Sequence, residues 1–436
     1  MNLLRSTLLS LLAASALAAT AAEVPALPRP LTLEAALAYA AEHNPALLRT
    51  REQIREQEGV LVTARAARLP ALAATAGVTR VDRDRLESAV ADDRGWSVEI
   101  AATQVLYAGG GLQAREQGQR EQTEAARLAF TAALNDTRLA VHQQFYTVLL
   151  NRELIGVQEE ALRVLEGELA NARSRRDAGT GSDFDLLRAE VAVANARPAL
   201  IRARNAYLTA QDALRTTLGA PGSGAAPVTD LAVEGRLDVA ARDVALLDAV
   251  TTARAQRPEL LRQERLEKAT ARGITAARSG YQPTVSAVAG YAWSRPSLLT
   301  TTASRLDGWS AGLQASWNIF DAKATAGQVA QAKSRAQQAR LSTEEISLAV
   351  ELEVRTAHAS LTEAAELLRA AEQVVTQARE SLRLAQSRYS AGVATQLDVL
   401  TAQSALTQAR SNLAQSQHAY AVALASLDRA TGQGAP

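Results

Sequence analysis

Apolar and polar residues alternate strictly between Trp309 and Ile319. Trp309, Ala311, Leu313, Ala315, Trp317 and Ile319 take one parity; Ser310, Gly312, Gln314, Ser316 and Asn318 take the other. Period two predicts a strand with one apolar face, and about eleven residues matches a transmembrane β-strand, which needs roughly 9 to 11. Val285, Ala287, Ala289, Tyr291 and Trp293 supply a partner strand. An earlier hairpin repeats the pattern. A β-compatible stretch from Ala71 to about Val81 and a mostly polar loop from Asp82 to Arg94 lead into Trp96, Val98, Ile100 and Ala102, which alternate with Ser97, Glu99, Ala101 and Thr103. An ordinary half-buried sheet gives the same alternation. However, the aromatics Trp96, Tyr291, Trp293 and Trp309 gather beside the two hairpin loops, as an interfacial girdle would. Four strands cannot close a barrel of eight or more, and open edges leave backbone groups unpaired in lipid. Hairpins of this kind span a membrane only if the chain oligomerises.

Elsewhere the period is helical. Leu31 to Glu42 predicts a helix that stops at Asn44-Pro45, and a second helix runs to about Arg68, closed by Pro70. From Leu112 to about Ala178 there is no Pro and only isolated Gly. Roughly 66 helical residues would reach about 100 Å, so the molecule is elongated. A second long helix, about Ala322 to Ser390, carries Ile346, Leu348, Val350, Leu352, Val354, Leu361, Leu368, Val375 and Leu382 among many Ala. That narrow stripe suits coiled-coil packing in a wall one helix thick; a soluble helical rod would also satisfy it.

Each long helix ends in a similar segment. Ala178-Gly179 through Asp185-Leu186-Leu187 parallels Tyr389-Ser390-Ala391-Gly392 through Leu397-Asp398-Val399-Leu400. Gly179 and Gly392 suit left-handed helix C-caps, and Ser182 and Thr395 suit N-caps of the next helix, so both segments are turns of helical hairpins. The numbering difference between Gly179 and Gly392, 213, also separates Pro45 from Pro258, Pro70 from Pro283, Trp96 from Trp309, Tyr107 from Phe320, and Gly219 from Gly432. One offset across the whole chain marks an internal tandem duplication.

The remaining signals refine this plan. Arg5, an apolar run from Leu8 to Leu17 and small residues to Ala22 predict a signal peptide over residues 1–22, too short for a membrane span. The first repeat then covers 23–219, with a hairpin at about 71–107, a long helix at about 112–178 and a helix at about 183–218. A linker follows at 220–240. The second repeat covers 241–432, with a hairpin at about 284–320, a long helix at about 322–390 and a helix at about 395–431, and 433–436 form a tail. Forty-seven basic against 46 acidic residues leave no basic face for nucleic acid. Cys is absent, which excludes disulfides and a lipid on cysteine. His43, His142, His358 and His418 are scattered, and Gly109-Gly110-Gly111 lacks the Lys-Ser/Thr of a phosphate loop. No catalytic, cofactor or metal constellation emerges.

The export signal, the repeated helix, hairpin and long-helix plan, Asn44-Pro45, Tyr107-Ala108-Gly109, Phe320-Asp321 and the two turn segments together resemble the TolC-type outer-membrane efflux family. The resemblance implies an α+β membrane protein of the Gram-negative outer membrane. Three chains would share a 12-stranded barrel and a periplasmic α-helical barrel. It also implies a homotrimer without cofactor, acting as exit duct of a tripartite efflux pump or type I secretion system. Its partners would be a periplasmic adaptor (membrane fusion) protein, an inner-membrane transporter of RND, ABC or MFS type, and outer-membrane lipid. Asp398, Thr401, Tyr389, Asp185 and Arg188 would surround the periplasmic aperture, with Asp398 as an acidic ring and Tyr389 bonded to Asp185. Gly179, Gly392, Arg175 and Arg388 would form adaptor-contacting tips. Thr401 and Ala394 stand where some members carry a second carboxylate and an Arg. The alternative is a soluble periplasmic coiled-coil scaffold without channel activity.

Overall fold

The computed structural model describes residues 27–82, 84, 93–220, 231–295 and 305–433. The segment expected to be a signal peptide, part of each hairpin loop, residues 221–230 of the expected linker and the last three residues of the chain lie outside them.

Each repeat makes two short helices, a β-hairpin, a 67-residue helix and a 36-residue helix. In the first these are α1 (Leu33–His43), α2 (Pro45–Ala66), β1 (Ala71–Arg80), β2 (Arg94–Ala108), α3 (Gly111–Asp177) and α4 (Asp183–Leu218). In the second they are α5 (Leu246–Gln256), α6 (Pro258–Arg278), β3 (Thr284–Arg295), β4 (Leu306–Ser316), α7 (Ala324–Ser390) and α8 (Gln396–Thr431). Asn44 starts α2 by accepting from the amides of Ala46 and Leu47 at 2.8 and 3.3 Å, with Pro45 in the first turn, where a missing N–H costs nothing. Left-handed Gly219 and Gly432 end α4 and α8 hard against the α1–α2 and α5–α6 junctions. A Cβ on Gly219 would stand 2.5 Å from the His43 carbonyl oxygen. Thus α4 and α2 stack end to end along α3, and α8 and α6 along α7; α3 also packs on α6 and α8, joining the repeats.

The apolar cores sit near mid-length and repeat with the sequence. Ala36, Val141, Val148 and Leu214 bury together in one cluster, and Ala249, Val354, Leu361 and Leu427 take the equivalent places in the other. His358 replaces Phe145 there, its ring nitrogen 2.9 Å from the Val244 carbonyl oxygen. A third cluster, including Val375, Leu382, Val399 and Leu406, runs down the α7–α8 hairpin.

Two expectations change. The apolar residues of α7 form two stripes: Val350, Val354, Leu361, Val375 and Leu382 are buried, whereas Leu348 and Leu352 are exposed. At about 100° per residue, Leu348 and Val350 point to opposite sides. The fourth strand also starts and ends earlier, at Leu306 and Ser316. Ser316 pairs with Thr284; beyond it the partner strand offers Pro283, which has no N–H, and a 3₁₀ turn at Ser279–Tyr281. Trp317 leaves the ladder and donates its indole N–H to the Tyr281 carbonyl at 3.2 Å.

The sheet is antiparallel, ordered β1-β2-β3-β4, with β1 and β4 as free edges among the described residues. Its register pairs Ala74 with Ile100, Ile100 with Tyr291, and Tyr291 with Trp309. Directly opposed residues share a face, so the apolar parities of all four strands coincide. A bulge between Val105 and Tyr107 shifts the register at the helical end.

Candidate functional site

At the tip of the first hairpin, Gly179 has φ +74°, and the Gly179 and Thr180 amides donate to the carbonyls of Arg176 and Arg175, both at 2.9 Å. At the second, Gly392 has φ +76°, and the Gly392 and Val393 amides donate to Tyr389 and Arg388 at 3.0 Å. These paired bonds close a helix end with a left-handed residue, a conformation that costs Gly nothing sterically. Arg175 and Arg388 are exposed beside the turns.

The two outgoing helices are capped differently. Ser182 accepts from the Asp185 amide at 3.2 Å. Thr395 and Asp398 form a reciprocal box: the Thr395 amide and hydroxyl both donate to Asp398 Oδ2 at 2.8 Å, and the Asp398 amide donates back to the hydroxyl. Those bonds, chiefly the backbone one, hold the Asp398 carboxyl below its usual range, helped by the Arg388 charge. Both bonds end on Oδ2, so the cap leaves Oδ1 without a partner among the described residues.

Tyr389 does not bond to Asp185 within the protomer. Its ring carries the Arg175 guanidinium, 4.5 Å from the ring centroid, which ties the two tips together. Arg188 lies over its neighbour Phe184 at 4.5 Å, and Thr401 is exposed on α8. Ion pairs that the sequence did not disclose, Arg176–Asp183 at 3.2 Å and Arg173–Glu190 at 3.7 Å, span the first hairpin. At the positions of Asp183 and Glu190 the second hairpin has buried Gln396 and Gln403; among the described residues neither amide atom of Gln396 has a partner, whereas Gln403 donates its Nε2 to Thr407 at 3.3 Å and leaves its oxygen unbonded. Comparing the repeats position by position exposes this difference.

The same comparison reveals Asp321. Where the first repeat turns from strand to helix through left-handed Gly109 and Gly110, the second uses Ala322 and Lys323, with φ +52° and +72°. Asp321 holds that turn by accepting from the Lys323 amide at 3.0 Å and the Thr325 amide at 2.8 Å. A bond from the Thr325 side chain, reinforced by these two, lowers the Asp321 pKa.

At the far end of the long helices, the aromatics share the apolar sheet face. Tyr291 and Trp293 pack with ring centroids 4.7 Å apart, Trp309 lies across from Tyr291, and Trp96 pairs with Val78 and Arg295. Tyr291 donates its hydroxyl to Asp307 at 2.6 Å, a partner the alternation alone did not suggest. Among the described residues, no helix is long and apolar enough to cross a membrane, and no His, Asp or Glu group could hold a metal ion.

The chain matches the model of the outer membrane efflux protein family over residues 36–220 and 249–433, one match on each repeat. The outer membrane efflux protein BepC of Brucella suis biovar 1 (strain 1330) is 24% identical over 418 residues, covering 92% of this chain and 85% of that protein. Among solved structures, CusC superposes with a TM-score of 0.78 at 21% identity, covering 92% of each chain. The outer membrane protein VceC of Vibrio cholerae gives a TM-score of 0.77 at 20% identity, covering 92% of this chain and 96% of that one.

Proposed function

Because the chain belongs to the outer membrane efflux protein family, matched on both repeats, we propose that it is the passive exit duct of a tripartite pump, gated at its helical tips. Proteins of this family are outer-membrane channels of Gram-negative bacteria, not enzymes; they form trimers and work with adaptor and inner-membrane pump partners.

One observation carries the reading: the sheet has a continuous apolar and aromatic face but two free edges, β1 and β4. Unpaired edges are not tolerated in lipid, so other copies must close the sheet. Three chains of four strands make a 12-stranded barrel with the apolar face outward, the small and polar face around water, and Trp96, Tyr291, Trp293 and Trp309 at the outer interface. A soluble scaffold would leave that apolar face without an occupant.

On this reading the tips form the periplasmic aperture. Asp398 serves both as helix cap and as aperture carboxylate, since the cap occupies one oxygen and Oδ1 remains available to a cation. Thr401 and Arg188 add no second acidic ring. The Arg175–Tyr389 contact holds adjacent hairpins within one protomer, and Gly179, Gly392 and Arg388 complete the surface offered to an adaptor.

The absence of native Cys makes the test clean. Single cysteines scanned along β1 and β4, paired and cross-linked in outer membranes, should give covalent trimers, and the purified protein should open ion-conducting pores in planar bilayers. Monomers that dissolve without detergent and conduct nothing would overturn the proposal. Deleting the gene and profiling drug sensitivity against protein export separates efflux from type I secretion.

A further inference from the structure

The barrel reading, on which this inference rests, turns the second face of the sheet toward water. That face collects the odd residues of β1, Ser97, Glu99, Ala101 and Thr103 of β2, and their opposed partners on β3 and β4. Nearly all are Ser, Thr, Gly or Ala, with Val105, Val288, Leu306 and Gln314 as the larger members. Among the described strand residues of this face, Glu99 is the one charge.

Its surroundings leave that charge uncompensated. Glu99 lies opposite Thr75 on β1 and Ala292 on β3, and Ala292 in turn lies opposite Gly308 on β4. The residue is exposed, and its carboxylate has no hydrogen-bond or ion-pair partner among the described residues. Small side chains leave room for water beside it but cannot neutralise it. Arg80, Arg94 and Arg295, at the loop end, belong to the opposite, apolar parity. A wall of hydroxyls and methyls contributes little field of its own, so one unscreened charge per protomer dominates the potential of that section of the lumen. A ring of like carboxylates draws counter-ions and repels co-ions.

We infer that Glu99 forms an acidic ring inside the strand-lined lumen, near its outer half, and gives the duct a preference for cationic over anionic permeants. The ring is set far from the Asp398 aperture, at the other end of the long helices, and acts independently of how tightly that aperture closes.

Reversal potentials across planar bilayers under a KCl gradient test this. The dilute side is kept at roughly 10 mM, where the Debye length is about 30 Å and a ring charge is felt across the lumen. Wild-type protein should pass K⁺ several-fold more readily than Cl⁻. Glu99→Gln should reduce that preference to the share set by the Asp398 aperture, and Glu99→Lys should lower it further, with trimer yield unchanged in both. Orientation is checked by Glu99→Cys, where an anionic thiol reagent should raise cation preference and a cationic one should lower it. Val98→Cys, on the apolar face, should respond to neither reagent. Channels whose selectivity is indifferent to both Glu99 variants would overturn the inference while leaving the duct standing. An absence of any channel would remove the duct reading and this inference with it.

Discussion

Replacing Gly392 with Val separates the second helical tip from the rest of the channel. The residue sits at φ +76°, and an added Cβ would meet no atom within 4 Å. The cost is therefore one of backbone conformation alone, about 1–2 kcal/mol for an L-residue in the left-handed region, and β-branching raises it. Against this the turn holds two 3.0 Å hydrogen bonds, from the Gly392 and Val393 amides. An intramolecular hydrogen bond contributes about 1 kcal/mol net, so the strain is as large as what closes the turn. The apolar clusters around Val354 and Leu427 lie well away on the long helices, so the turn should open without loosening them. A change of about 1–2 kcal/mol shifts the ratio of closed to frayed tip roughly 5- to 30-fold. Limited trypsin digestion of the purified trimer reads that ratio at Arg388, because cleavage of a transiently opened segment follows its open population. Cleavage after Arg388 should rise by that factor, the heat-dissociation temperature of the trimer should hold, and efflux in cells should fall. Gly392→Asn, which enters the left-handed region readily, should behave like the wild type. Wild-type cleavage and wild-type efflux in the Val variant would refute the tip assignment. Equal failure of Asn and Val would shift the cause from backbone strain to the tip surface.

Other substitutions probe the aperture and the joints. Asp398→Ala should raise single-channel conductance or weaken block by multivalent cations from the periplasmic side. Because the folded pKa of Asp398 is depressed, its cap is intact above the unfolded carboxylate value of about 4 and is lost only as pH falls through the lower folded value, so conductance measured from neutral pH down to about 5 should stay flat. At the strand-to-helix joints, Gly109→Ala should destabilise the trimer more than Gly110→Ala: both have positive φ, but a Cβ at Gly109 would stand 2.7 Å from Gln282 Cβ, whereas Gly110 faces open space. Ala322→Gly should be neutral or stabilising by up to about 1 kcal/mol in heat dissociation, since relief of left-handed strain slightly exceeds the extra unfolded-state entropy of Gly. Arg257, with its side chain 3% exposed, bonds to Glu259, Glu353 and the Arg429 carbonyl, so Arg257→Ala should cost about 3 kcal/mol, the low end for a broken buried pair because both carboxylates are partly solvated. Arg257→Asn should recover part of that loss by restoring the cap that Asn44 supplies in the first repeat.

Much of the architecture was legible in one dimension because its determinants are local and repeated. Period-two alternation marked the strands, uninterrupted helical stretches marked the long helices, and the Gly turns with Ser182 and Thr395 announced caps that form as expected. The constant offset between the repeats made each copy a check on the other. Local signals failed where a partner far along the chain decides the outcome. The β4 boundary at Ser316 depends on where β3 stops offering N–H groups, and the exposure of Leu348 depends on which side of α7 meets α8. The Tyr389 ring goes to Arg175, in the other repeat, because the two hairpin tips lie side by side.

By itself the sequence determined the duplication, the extreme helix length, the turns and the two-faced strands, since each follows from residue spacing and from the backbone preferences of Gly and Pro. Tertiary structure alone decided that the apolar parities of four strands, two from each repeat, fall on one face. Cross-strand register is a long-range choice, and a slip of one residue between β3 and β4 would have put Trp309 on the same face as Glu99.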